Sequence, residues 1–120
     1  MAKTEISDHF RELLPLTPAV FYILFALAEG EKHGYAIMKE VHSVSDGQFT
    51  MGPGTLYTTI QRLLELGLIE ETSTSSDSER RRRYYRLSRR GRQIFEAELN
   101  RMESLVRSAQ RRKLVTGEAR

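Results

Sequence analysis

The chain has 120 residues, 39% of them hydrophobic and 29% charged, which suits one compact core with an appended helix, is too short for two domains and excludes wholesale disorder. No apolar run reaches the roughly 18 to 20 residues that span a bilayer, the N-terminus has no basic and apolar leader, and cysteine is absent, so a cytoplasmic protein without membrane partners, disulfides or thiolate chemistry is expected. The net charge of +3 is unevenly spread: residues 80–113 hold thirteen of the nineteen Lys and Arg against three acids, a net +10 that leaves −7 on the rest and suits a polyanionic partner.

In chain order, the first predicted element is a short amphipathic helix with Ile6, Phe10, Leu13 and Leu14 at helical spacing. Pro15 ends it, because proline lacks an amide donor and disfavours helical geometry in the residue before it. Thr17 is placed to cap the next helix and Pro18 to occupy its first position. The body of that helix, Ala19 to Ala28, is apolar nearly all round and therefore belongs at the centre of the core, with Gly30 as its left-handed cap. A second core helix is expected from about Gly34 to Val44, with Tyr35, Ile37, Met38 and Val41 as its buried stripe. Asp46-Gly47 then makes a turn, and residues 48–51 suit a very short strand. The third helix, Thr55 to Leu66, turns Leu56, Ile60, Leu63 and Leu64 to one side and stops at Gly67.

Beyond Gly67 the period changes. Leu68 to Thr72 and Arg80 to Leu87 read as strands on either side of a polar turn, which makes a hairpin. Ser88 caps a last long helix reaching about Leu114, with Phe95, Leu99, Met102, Leu105, Val106 and Ala109 on one apolar stripe. So small a body cannot cover that stripe. A partner helix, and with it a homodimer, is the economical expectation; folding back on the chain's own core is the alternative.

Three helices followed by a hairpin is the order of a winged helix, whose third helix enters the major groove of DNA while the hairpin reaches an adjacent backbone or minor groove. The expected fold class is therefore mainly α with a small β-hairpin: a winged helix-turn-helix with its N-terminal helix over 1–87, and a long dimerisation helix and tail over 88–120. The side of the third helix away from Leu56, Ile60 and Leu63 presents Thr55, Thr58, Gln61 and Arg62, with Tyr57 on the flank. Those side chains can donate to phosphates and read base edges. On composition alone they are ordinary solvated surface; their place in a three-helix-plus-wing order is what marks them. The unbroken run Arg80-Arg81-Arg82-Arg83 near the hairpin tip is the candidate backbone contact. Within it Arg80 and Arg82 are expected to face outward, because Tyr85 and Leu87 are the pair suited to pack on the helices.

His9, His33 and His42 lack the spacing of a metal or catalytic motif, and Gly52-Pro53-Gly54 lacks the lysine and length of a phosphate-binding loop. No enzyme, metal or cofactor is expected, and His33 suits a helix start.

Leu16-Thr17-Pro18, His33-Gly34-Tyr35-Ala36-Ile37, Gly54-Thr55-Leu56-Tyr57, Arg62-Leu63 with Gly67-Leu68-Ile69, Arg82-Arg83-Tyr84-Tyr85-Arg86-Leu87 and Gly91 together resemble the PadR family of transcriptional regulators, from about Leu13 to the final helix. The resemblance implies a repressor that binds a palindromic double-stranded DNA operator as a homodimer built by its C-terminal helix, often helped by the N-terminal helix, here through Phe10. It carries DNA contacts onto Tyr35, Thr55, Tyr57, Thr58 and Arg62, and wing contacts onto Arg80, Arg81, Arg82 and Arg83. A single C-terminal helix fits the short members, but tryptophan, on which some of them stack flat aromatic drugs, is absent. One alternative is a multidrug sensor taking a small aromatic effector in an apolar dimer pore lined by Phe10, Tyr22, Phe95 and Met102, whose default role is packing; the missing tryptophan argues against its best-understood version. The other is a winged-helix adaptor for a protein partner, which calls for an apolar recognition surface.

Overall fold

A computed structural model of the chain describes residues 12–72 and 83–115. The expected first helix with Phe10, and the wing tip with Arg80, Arg81 and Arg82, lie outside the described residues.

Helix α1 (Pro18–Ala28) starts as its sequence dictates, with the Val20 amide donating to Thr17 Oγ1 at 3.3 Å and proline in the first turn. It buries Ile23, Leu24, Ala26 and Leu27 and is the element on which α2 (Gly34–Val44), α3 (Pro53–Leu66), α4 (Arg89–Arg111) and β3 (Tyr84–Leu87) converge. Its end differs from expectation. Glu29 is the cap residue, and Gly30 has a φ of 145°, outside the left-handed helical region.

Strand β1 (Lys32–His33) was not anticipated, since two residues carry no period. It pairs antiparallel with β3 (Tyr84–Leu87), which also pairs with β2 (Ile69–Thr72), giving a three-stranded sheet in the order β1-β3-β2. The inward residues of the hairpin are those its alternation predicts: Ile69 and Tyr85 are buried and Leu87 packs against the core, while Arg86 is exposed.

Helix α2 (Gly34–Val44) is capped by His33, whose Nδ1 accepts from the Ala36 amide at 3.2 Å. Gly34, Ile37 and Val41 form its buried face. Tyr35, expected in that stripe, is instead 61% exposed, because it stands one residue, about 100°, off the i, i+3, i+7 row. Asp46 and Gly47 both take positive φ in the turn that follows. The strand expected at 48–51 does not form. Ser45 Oγ sits 3.1 Å from both the amide and the carbonyl of Phe49, so a side chain supplies the partners a ladder would have supplied, and the Phe49 ring stacks on Tyr22 at 5.2 Å.

Helix α3 (Pro53–Leu66) begins two residues before its expected start, since Pro53 suits a first helical turn, and ends on Gly67 in the left-handed conformation at φ 76°. Helix α4 (Arg89–Arg111) opens on Ser88, whose Oγ accepts from the Gly91 amide at 3.0 Å and donates to the Gly67 carbonyl at 2.7 Å. One hydroxyl thus fastens the end of α3 to the start of α4. Phe95, expected on the dimerisation stripe, belongs to the core of its own chain: its ring lies 5.7 Å from Phe21 and 5.6 Å from Phe25. The whole is a winged helix with a long C-terminal helix.

Candidate nucleic-acid interface

The candidate DNA-reading face exists because α3 buries one side completely. Leu56, Ile60 and Leu63 are at most 2% exposed and Leu64 is half-buried, which turns Thr55, Tyr57, Thr58, Gln61 and Arg62 to solvent. Tyr57, Thr58, Gln61, Arg62 and Glu65 line a single shallow depression along the helix. Gln61 Nε2 donates weakly to Glu65 Oε2 at 3.4 Å, one turn on, so a base edge competes with only a long, exposed hydrogen bond for that amide. Thr59 turns back onto the Thr55 carbonyl at 2.7 Å and takes no part in the face. Gly52, the N-cap of α3, has no side chain with which to satisfy the first-turn amides, and those amides favour anions.

Tyr35 stands at the start of α2 with the Lys39 ammonium 5.6 Å from its ring centroid, so the exposed phenol is backed by a cation. On the wing, Arg83 Nε is 3.6 Å from Glu71 Oε2 and Arg86 Nε 3.0 Å from Glu70 Oε1, across the paired strands. Both pairs are exposed and therefore weak, so a phosphate can replace either carboxylate at small cost. Arg83 is the one member of the arginine run within the described residues, and its side chain is shared with Glu71. Below it, burial and the Glu71 carboxylate raise the pKa of the Tyr85 phenol above its usual value, against the opposing pull of Arg83. Tyr85 accordingly stays neutral.

The structure separates the dimerisation candidates. Leu99, Leu105 and Val106 are 38%, 57% and 53% exposed, Met102 and Ala109 are half-buried, and Phe95 is buried. Sequence reasoning missed Glu98, which lies on the same helix and is fully buried. Its carboxylate accepts from the Leu16 amide at 2.9 Å and from Arg101 at 2.6 and 3.1 Å. The Arg101 hydrogen bonds, with the Leu16 amide, hold its pKa below the usual carboxylate range although burial works the other way. The signal was present: an acid inside an apolar stripe with an arginine three residues on, the spacing of a helical pair. Among the described residues no cluster of His, Asp and Glu is suited to a metal ion, and no helix is long and apolar enough to cross a membrane.

Comparison with solved structures finds the same fold repeatedly. A transcriptional regulator from Clostridium thermocellum is 26% identical, with a TM-score of 0.63 over 89% of this chain and 96% of that one. A PadR family transcription regulator from Clostridium difficile is 23% identical, with a TM-score of 0.67 over 79% of this chain and 97% of that one. Bacillus subtilis PadR, solved in complex with operator DNA, is 22% identical, with a TM-score of 0.62 over 71% of this chain and 47% of that one. No curated protein sequence matches significantly. The family model for the transcriptional regulator PadR-like family matches residues 23–97, a stretch that takes in the candidate face of α3, the wing strands and the buried start of α4. The chain belongs to the PadR-like family, whose members are transcriptional regulators rather than enzymes.

Proposed function

We propose that this protein is a cytoplasmic, sequence-specific repressor that binds a palindromic DNA operator as a homodimer. The observation that carries the reading is the exposed polar face of Thr55, Tyr57, Thr58, Gln61 and Arg62, held rigidly above buried Leu56, Ile60 and Leu63. A face made of donors with one acid at its far end suits a groove lined by phosphates and base edges; a protein-binding adaptor calls for an apolar one. Bacillus subtilis PadR, of the same fold, was solved in complex with operator DNA, which supports DNA as the partner. In the proposed docking α3 takes the major groove, Tyr35 the adjoining backbone, and the run Arg80 to Arg83 the backbone or minor groove beside it. The exposed Leu99, Leu105 and Val106 suit a two-fold partner, with residues 88–120 as the dimerisation segment.

The sensor alternative has less support. Tyr22 and Phe95 are both engaged in packing within their own chain.

Footprinting the purified protein on DNA upstream of its own and neighbouring genes tests the reading. A two-fold symmetric protected site is expected, with half-sites about one helical turn apart. Thr58→Ala or Gln61→Ala should then relax discrimination at particular positions by about 1–3 kcal/mol, with little change on random DNA. Equal affinity of the native protein for every sequence would overturn it.

A further inference from the structure

Gly34 opens α2 from a buried position, and it is absent from the glycines that take positive φ. Its backbone does not need glycine. Alanine is the better helix former, so glycine at this point calls for another cause. That cause is Tyr57. A Cβ built on Gly34 overlaps the Tyr57 hydroxyl and lies 2.8 Å from Cζ and 3.1 Å from Cε1, so the phenol rests directly on the Cα of Gly34. The ring belongs to α3 and its seat to the first turn of α2, next to exposed Tyr35. Tyr57 is nevertheless 49% exposed, so one side of the ring is supported by its own chain while the other is open to a partner.

We infer that Gly34 is a positioning residue for DNA binding: it seats the Tyr57 phenol in the seam between α2 and α3, where the hydroxyl meets a backbone phosphate. The inference rests on the DNA-binding reading proposed above. Tyrosine hydroxyls are regular phosphate donors, and phosphate contacts set the register in which a reading helix lies on the duplex. A half-exposed ring without a seat samples several rotamers and loses that freedom on binding; a ring already fixed by the glycine loses little. The two segments His33 to Ile37 and Gly54 to Tyr57 are thereby one device: the first supplies the gap that the second fills.

The substitution Gly34→Ala tests this cleanly, because what stands in the way of the new methyl is the far end of an exposed side chain rather than backbone. The ring moves and the fold stays. Affinity for a duplex carrying the footprinted site and for a random duplex should fall together by about tenfold, the worth of one hydrogen bond to a charged group. Thermal stability should hold or rise slightly. Tyr57→Ala should show a similar loss, and Gly34→Ala added to Tyr57→Ala should cost less than about twofold more, because the seat has nothing left to hold. The double variant also removes the clash, so it serves as the folded reference should Gly34→Ala alone unfold. Without DNA, the Tyr57 ring resonances should broaden or move in Gly34→Ala. Multiplying losses in the double variant, native affinity in Gly34→Ala, or unchanged ring resonances would each overturn the inference. If the native protein binds no DNA, it is the functional reading that fails, and the ring resonances still decide whether Gly34 seats Tyr57.

Discussion

The two halves of α4 carry the same apolar period but live in different surroundings. From Gly91 to Glu98 the stripe is buried, with Ile94 fully enclosed and Phe95 packed on Phe21 and Phe25. From Leu99 onward the chain's own cover runs out, and Leu105 and Val106 are more than half exposed. Glu98 marks the border, its carboxylate enclosed and tied to the Leu16 amide while its partner Arg101 reaches toward solvent. A hydrophobic period states which face of a helix wants cover. It does not state who covers it, and along one helix the answer changes from the chain itself to the proposed partner protomer.

The strongest way to break this comparison is at Gly91. A Cβ there overlaps the backbone carbonyl oxygen of Leu68 and lies 2.9 Å from its carbonyl carbon, and that oxygen also accepts from the Ser88 amide at 3.0 Å. Nothing flexible can yield, so Gly91→Ala should destabilise the fold by about 3 kcal/mol or more in chemical denaturation. Ser104→Ala, on the exposed half, should stay within roughly 0.5 kcal/mol of the native protein. Equal stabilities for the two variants would show that the halves are not different.

Next in size is the border itself. Glu98→Ala leaves the Leu16 amide without its acceptor and Arg101 without its partner, and should cost about 1–3 kcal/mol. A carboxyl whose folded pKa is lowered stabilises the fold above its unfolded value, ordinarily 4.5, and loses that contribution as the pH falls through the folded value. The gap in stability between the native protein and Glu98→Gln should therefore be full near neutral pH and narrow below 4.5. A gap that is flat with pH, in denaturant titrations across that range, would mean that the charge of Glu98 is not what holds the Leu16 segment.

What could be read in advance follows the same division. The caps at Thr17 and Ser88, the left-handed stop at Gly67 and the buried row Leu56, Ile60, Leu63 are local, set by residues a few positions apart, and the sequence showed them. Tyr35 was read into a buried stripe because its chemistry permits burial, whereas its angular position does not. The pairing of β1 with β3, the seat of Tyr57 on Gly34 and the bond from Leu16 to Glu98 join residues far apart in the chain. No period or cap encodes such meetings. On the candidate site, the exposure of Thr55, Thr58, Gln61 and Arg62 was legible from helix periodicity, while the pairing of Arg83 and Arg86 with Glu71 and Glu70 needed the strand register.

The smallest effect on the fold, and the sharpest test of the comparison, comes from Leu105→Ser with Val106→Ser. Because both side chains are already more than half exposed, the single chain should lose no more than roughly 0.5 kcal/mol per site, measured well below the concentration at which it associates. Association should respond quite differently. Apolar area is removed from water only when a partner helix arrives, so each deleted side chain subtracts from the dimer what it never contributed to the monomer. Sedimentation at micromolar concentration should show the native protein as a dimer and the variant as a monomer. In the proposed dimer two tethered reading helices would engage two half-sites at once, which makes the second engagement effectively intramolecular. Separating them should therefore weaken operator binding much further than either substitution weakens the fold, while a single half-site is bound as before. A native chain that sediments as a monomer would leave Leu99, Leu105 and Val106 as solvated surface, and the second half of α4 would then need another partner.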